Sequence, residues 1–128
     1  MTRRETRIAL MQILYSADIN GISIDEAKEN ISKKILTDDV LIFLHDLEIN
    51  LEKIDSLIVK SLENYTINRL NLVDKSIIRI ATLELLSGLD KRIVINEALE
   101  ITKEFSDQGD KKAVKFNNRL LDNISKNI

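Results

Sequence analysis

Residues 71–88 read NLVDKSIIRIATLELLSG, and this stretch decides the fold class. Its apolar side chains recur at helical spacing from Val73 to Leu86 and cover most of the helix circumference. Asn71 is a suitable N-cap, and Gly88 is a suitable residue for the C-terminal cap. A helix that is apolar on nearly every side has to be buried. We therefore expect this helix to lie at the centre of the protein.

Few residues in the rest of the chain interrupt helices. The 128 residues include no Pro and only three Gly, whereas a β-sandwich or barrel needs many tight turns. Ile also favours strands, but its 3.6-residue spacing here favours helices. The sequence predicts an all-α fold, a compact bundle of about seven short helices in one domain of residues 1–128. The predicted helices span about 2–17, 24–36, 38–47, 50–62, 72–87, 93–105 and 112–125.

Two local signals place helix starts in the first half of the chain. Ser23 and Glu26 have capping-box spacing, in which the Ser hydroxyl caps the backbone of residue 26 and the Glu reaches back. Asn50 is a possible N-cap inside the apolar stretch 40–62. It therefore divides that stretch into two predicted helices.

The composition excludes several classes of site. The chain has no Cys and one His, so it can form neither a disulfide nor a thiolate zinc site. No phosphate-binding loop, nucleophile elbow or metalloprotease motif occurs. His45, beside Asp46, is either a general base or a helix-surface residue, and the second interpretation is favoured. The sequence therefore predicts no enzyme, no catalytic residue, no cofactor and no metal.

No segment of the chain has the character of a membrane or secretion signal. No apolar run approaches the roughly 18 residues of a membrane span. The N-terminus also lacks the apolar core of a signal peptide. We expect a cytoplasmic protein that does not contact a membrane.

Charge is distributed unevenly along the chain. Residues 1–7 carry a net charge of +2 and residues 111–128 carry +4, which leaves −8 on residues 8–110 of a chain whose total is −2. An acidic body with two basic ends does not resemble a general polyanion binder. It fits a protein that binds nucleic acid through one local patch.

The first basic end is the group Arg3, Arg4 and Arg7, here called the N-terminal arginine cluster. Cations at a helix N-terminus oppose the macrodipole by roughly 0.3–1 kcal/mol each when they are exposed. Three of them indicate that something outside the fold, such as a phosphate backbone, compensates for this cost. A random basic N-terminus is the alternative, and it stays open at this point.

The second basic end lies at the start of the last predicted helix. Lys111, Lys115 and Arg119 follow i, i+4 spacing and form one stripe, with Lys112 beside it. Phe116 is a candidate for stacking on a base, although an aromatic at such a position more often belongs to the core. If the first and last helices pack together, the two basic ends merge into one positive groove.

Four segments in order resemble the NusB family over nearly the whole chain. RRETRIALMQILYS (3–16) resembles the family's basic opening followed by A-x-Q-x-LY. RLNLVDKSIIRIATLELL (69–86) resembles RL-x-x-VDR-x-ILRLA-x-YELL. INEALEITKEF (95–105) and KFNNRLLDNI (115–124) resemble VAINEAVELAK-x-F and KFVNGVLD. The match is weakest over residues 20–64.

The resemblance implies an all-α fold of two packed helical sub-bundles and a role in transcription antitermination. Members of the family bind the boxA element of ribosomal RNA transcripts together with the ribosomal protein NusE, and the complex helps RNA polymerase to read through terminators. The resemblance implies an RNA-binding surface at or near Arg3, Arg4, Arg7, Tyr15, Asp74, Lys115 and Phe116, to which the basic stripe adds Lys112 and Arg119. It leaves the oligomeric state open between a monomer and a homodimer.

This chain departs from the family pattern at four positions. Tyr65 replaces the tryptophan of the connector and Leu83 the aromatic of YEL. Asp90 replaces a proline, and Arg119 replaces the glycine of VNG and adds a charge.

The alternative function is a NusB-like protein–protein interaction module without RNA binding, accessory to ribosomal RNA processing or modification.

Overall fold

The computed structural model describes all 128 residues as six α-helices and no strands. A 3₁₀ turn of three residues lies between the third and fourth helices. The helices are α1 (Arg3–Asn20), α2 (Ile24–Glu29), α3 (Asp38–Ser61), α4 (Leu72–Leu86), α5 (Lys91–Phe105) and α6 (Lys112–Lys126). The predicted all-α class is confirmed, and the predicted number of about seven helices is one too many. None of the helices has both the length and the apolar character required to cross a membrane.

The fourth helix lies at the centre, as the sequence predicts. α4 packs against α1, α3, α5 and α6, and eleven of its fifteen residues are buried. The Asn71 side chain caps it by accepting hydrogen bonds from the backbone N–H groups of Val73 and Asp74. The apolar side chains of both halves of the chain meet around α4 in one continuous cluster of 25 buried residues.

The difference in helix number comes from Asn50. The structure has one helix of 24 residues where two were predicted, because the apolar face continues through Leu47, Ile54 and Ile58 without a change of direction. Asn50 Nδ2 donates to the carbonyl of Asp46 at 2.9 Å, four residues earlier in the same helix. The Asn side chain thus bonds within the helix instead of capping a new one.

The second helix is shorter than predicted. α2 ends at Glu29, and residues 30–37 form turns whose apolar side chains pack against the core from outside a helix. Ser23 Oγ accepts from the backbone of Glu26 at 3.1 Å, as predicted, but the Glu26 carboxylate accepts from the Ser23 hydroxyl and not from its backbone. The complete capping box lies at the start of α1, between Thr2 and Glu5.

One ionic network joins three helices beside the core. Arg79 on α4 donates two hydrogen bonds to Asp55 on α3, at 2.9 and 2.8 Å, and a third to Asp18 on α1, at 3.2 Å. The Arg79 side chain is 8% exposed, so its charge has little access to water. A buried cation of this kind requires carboxylate partners. Arg79 therefore fixes α1 and α3 against α4.

Replacing Arg79 by Gln leaves Asp18 and Asp55 without their common partner. Breaking a buried ion pair by removing one member is strongly destabilising. We expect Arg79→Gln to lower the free energy of unfolding by about 2–4 kcal/mol in urea denaturation. The matched control is Arg92→Gln, because Arg92 is exposed and forms no ion pair. The control should change stability by less than about 0.5 kcal/mol, and equal effects of the two variants would contradict this role of Arg79.

Candidate nucleic-acid interface

The N-terminal arginine cluster is largely paired within the fold. Arg7 Nε and Nη2 donate to the two carboxylate oxygens of Glu84 on α4 at 2.9 and 2.7 Å, and both side chains are less than one-tenth exposed. Hydrogen bonding to Glu84 raises the pKa of Arg7 above its ordinary value. The charge of Arg7 is thus compensated inside the protein, and its presence at the helix N-terminus does not require an external phosphate.

Arg4 has a partner of the same kind at the surface. Its Nε and Nη2 donate to the carboxylate of Glu97 on α5 at 3.0 and 3.2 Å. The same carboxylate lies 3.9 Å from Nη1 of Arg7. The hydrogen bond from Arg4 lowers the pKa of Glu97, and the same hydrogen bond is the main cause of the raised pKa of Arg4, with smaller contributions from the charges of Glu100 and Glu104. Of the three arginines, only Arg3 is exposed without an ion-pair partner.

Tyr15 lies in the second half of α1. It is half-buried, two turns beyond Arg7 and one turn before Asp18. Its hydroxyl forms no hydrogen bond with the protein. The structure thus places Tyr15 away from Arg3 but on the same helix.

Asp74 is the centre of a second cluster, at the other end of α4. Its side chain is buried, and Oδ1 accepts from the Ser106 hydroxyl at 2.6 Å and from Asn117 Nδ2 at 3.0 Å. Asn117 Nδ2 also donates to the Thr102 hydroxyl at 3.1 Å. These contacts join the start of α4 to the end of α5 and the first turns of α6. They leave Asp74 Oδ2 without a protein donor.

A groove of about 410 Å³ lies over Asp74 and is here called the Asp74 groove. The rings of Tyr65 and Phe116 form part of its wall, with centroids 5.3 Å apart and planes inclined by 58°. The guanidinium of Arg69 lies 4.9 Å from the centre of the Tyr65 ring, which is the distance of a cation–π contact. The groove therefore combines a buried carboxylate, two aromatic rings and a cation.

The basic stripe of α6 lies beside this groove. Lys112 lines it and is 86% exposed on its side chain, with only Asp110 nearby at 4.0 Å. Lys111 and Lys115 are exposed and form no ion pair. Arg119 forms an exposed pair with Glu63 at 2.7 Å. Three lysine charges at the start of α6 are thus available to a ligand.

The two basic ends do not merge into one patch. α1 and α6 both pack against α4 as principal neighbours, and the anticipated packing of the first helix on the last is not among the main helix contacts. The arginine cluster meets α4 at Glu84 and the α6 cluster meets it at Asp74, ten residues away. Ten helical residues correspond to about 15 Å along the axis. The candidate interface is therefore two clusters separated along α4.

Sequence reasoning missed two residues of the Asp74 groove. In the sequence, Tyr65 stands out only as a departure from the family pattern, and Arg69 only as the first residue of a family motif. Tyr65 lies in the connector and Arg69 ends the 3₁₀ turn, so no helical periodicity in the sequence joins them. The reasoning also missed Glu84 and Glu97, the internal partners of the arginines.

His45 is exposed on α3, as predicted, and no three acidic or histidine side chains are grouped as in a metal site.

Replacing Glu97 by Gln removes the negative charge that pairs with Arg4. We expect Glu97→Gln to lower the midpoint of thermal unfolding by about 2 °C at pH 7. Since Arg4 lowers the pKa of Glu97 below 4.5, the pair stabilises the fold above that pH and ceases to do so as the pH falls through the lowered pKa. The difference between variant and parent should therefore shrink toward zero in acid.

Glu52→Gln is the control for this measurement. It makes the same change of charge on α3, where Glu52 is exposed and has no ion-pair partner. The control should match the parent at every pH. A difference between Glu97→Gln and parent that persists unchanged in acid would show that the ion pair is not its cause.

Comparison with known proteins supports one family throughout. The family model described as the NusB family matches residues 4–126. The chain is 38% identical to the transcription antitermination protein NusB of Sulfurimonas denitrificans, over 98% of this chain and 97% of that protein. It is 35% identical to the protein of the same name from Listeria innocua, with the same shares covered.

Solved structures agree with the sequence relatives. The structure of Thermotoga maritima NusB superposes with a TM-score of 0.85 at 31% identity, over 98% of this chain and 92% of that one. A NusB chain from a crystal structure of antitermination factors NusB and NusE with double-stranded RNA gives a TM-score of 0.79 at 27% identity, covering 98% and 97%. The helical fold, the family motifs and the full-length match lead to one conclusion: this chain belongs to the NusB family.

Proposed function

We propose that this protein is a non-enzymatic transcription antitermination factor of the cytoplasm. It binds a boxA-type single-stranded stretch of ribosomal RNA transcripts together with the ribosomal protein NusE, and acts within the antitermination complex of RNA polymerase. Its relatives carry the name of transcription antitermination proteins, and a similar chain comes from a crystal of NusB and NusE with double-stranded RNA.

The observation that carries this proposal is the chemistry of the Asp74 groove. Asp74 lines the groove, and its Oδ2 has no donor in the protein. A carboxylate oxygen accepts hydrogen bonds only, so it fits the N–H groups on the Watson–Crick edge of a base. Such an edge is available in single-stranded RNA and hidden in a duplex.

The groove also offers the other two contacts that single-stranded RNA uses. The Tyr65 and Phe116 rings provide aromatic surface for stacking, which contributes about 1–3 kcal/mol per base in single-strand binders. Lys112 in the wall of the groove and Lys115 beside it provide exposed ammonium groups for phosphates. In this proposal the RNA also reaches Arg3, Arg4 and Tyr15, and Arg7 acts by holding α1 against α4.

Changing Asp74 to Asn tests the base contact. Asn retains an oxygen for Ser106 and Asn117 but places an NH₂ group in the groove, where the RNA presents a donor. We expect Asp74→Asn to weaken binding of boxA-type RNA by about 1–3 kcal/mol in fluorescence anisotropy. The matched control is Asp110→Asn, which removes an exposed rim carboxylate with the same change of charge and should not weaken binding. Melting temperatures of both variants separate binding from folding, and unchanged affinity of a folded Asp74→Asn protein would contradict the role of Asp74.

The charge of the chain predicts a dependence on NusE. The available cations form small clusters on an acidic body, and Arg4 and Arg7 are partly neutralised by carboxylates. We expect modest affinity for RNA alone and tighter binding when NusE is present, as measured by titration of labelled boxA-type RNA with and without NusE. Equal affinities would contradict this expectation. Binding of NusE without any binding of RNA would favour the interaction-module function instead.

A further inference from the structure

A second groove lies on the far side of Phe116. It has a volume of about 250 Å³, and Glu63, Asn64, Arg119 and Asn123 contribute polar groups to its wall. Phe116 lines both this groove and the Asp74 groove. The second groove is here called the Arg119 groove. The two grooves are thus adjacent, with the Phe116 ring between them.

Arg119 is held at this groove by a weak contact. Only its Nη2 has a partner, the Glu63 carboxylate at 2.7 Å, so Nε and Nη1 are free to donate. The side chains of Arg119 and Glu63 are 75% and 55% exposed. An exposed ion pair of this kind contributes little to stability and exchanges readily. A phosphate could accept from the free donors together with Nη2 in a bidentate contact, which the Glu63 carboxylate does not form here.

Glu63, in contrast, is held from two sides. Its second oxygen accepts from Asn123 Nδ2 at 3.1 Å, so the carboxylate keeps a partner when Arg119 leaves it. Arg119 also continues the stripe of Lys111 and Lys115, whose members follow one another at one turn of α6. An RNA strand whose phosphates follow this stripe away from the Asp74 groove therefore reaches Arg119.

We propose that the Arg119 groove is a second nucleotide subsite, in which Arg119 binds the phosphate of the nucleotide adjacent to the one in the Asp74 groove and Glu63 competes with that phosphate. The inference rests on the proposed RNA-binding function. Phe116 presents its ring to both nucleotides.

The subsite predicts opposite effects of the two partners of one ion pair. Arg119→Gln removes the phosphate contact, so it should weaken binding of boxA-type RNA about three- to tenfold at low salt and reduce the log–log salt slope by about 0.7. Glu63→Gln removes the competing carboxylate, so it should strengthen binding about two- to fivefold. If the ion pair had only a structural role, each variant would lower the free energy of unfolding by the same small amount and would leave RNA affinity unchanged.

The controls are Lys28→Gln and Asp25→Asn, which alter another exposed ion pair, on α2, by the same charges. They should change RNA affinity by less than twofold. If RNA binds to the parent protein but Arg119→Gln is without effect, or if Glu63→Gln weakens binding, the subsite is overturned and the proposed function stands. If the parent protein binds no RNA, with or without NusE, the proposed function is overturned and the subsite with it.

Discussion

The burial of α4 is the constraint on which the rest of the structure depends. A helix surrounded by other helices cannot leave a charge without a partner, because an unpaired charge away from water is very costly. α4 carries three buried charged residues, Asp74, Arg79 and Glu84, spaced five residues apart. Five residues turn a helix by about 140°, so the three side chains leave α4 in different directions. Each of them therefore requires partners from a different part of the chain.

The partners of these residues define the arrangement of the other helices. Asp74 binds α6 and the end of α5, Arg79 binds α1 and α3, and Glu84 binds the first turns of α1. The same contacts place the candidate interface. Asp74 uses one oxygen to fix α6 and also lines a groove, so one residue belongs to both the fold and the candidate site. Glu84 accounts for an arginine that the sequence alone assigned to RNA.

The sequence predicted the features that depend on local spacing. The central helix, its cap at Asn71 and the all-α class follow from apolar periodicity and from the absence of helix-breaking residues. Asn50 misled the prediction because Asn both caps helices and bonds to a carbonyl one turn earlier, and only the continuous apolar face decides between the two. Family resemblance, not periodicity, pointed to Asp74, whereas the spacing of the basic stripe already pointed to Phe116.

Long-range pairing could not be predicted in this way. Arg7 and Glu84 are 77 residues apart, and Arg4 and Glu97 are 93 apart, so no local pattern joins them. The Asp74 groove likewise combines residues of the connector, α4 and α6. Whether a cation is available to a ligand depends on such contacts, which explains why three similar arginines have three different surroundings.

The separation of the two cation clusters along α4 has a consequence for ligand length. In the proposed function, a strand engaged at both clusters must span at least the 15 Å or so that separates Glu84 from Asp74 along the α4 axis, which corresponds to roughly four to five stacked nucleotides or more. A shorter oligonucleotide occupies only one cluster. For a longer one, the second contact is intramolecular and benefits from a high effective concentration. The spacing that α4 fixes between the clusters would then give RNA long enough to contact both of them a higher affinity than short fragments.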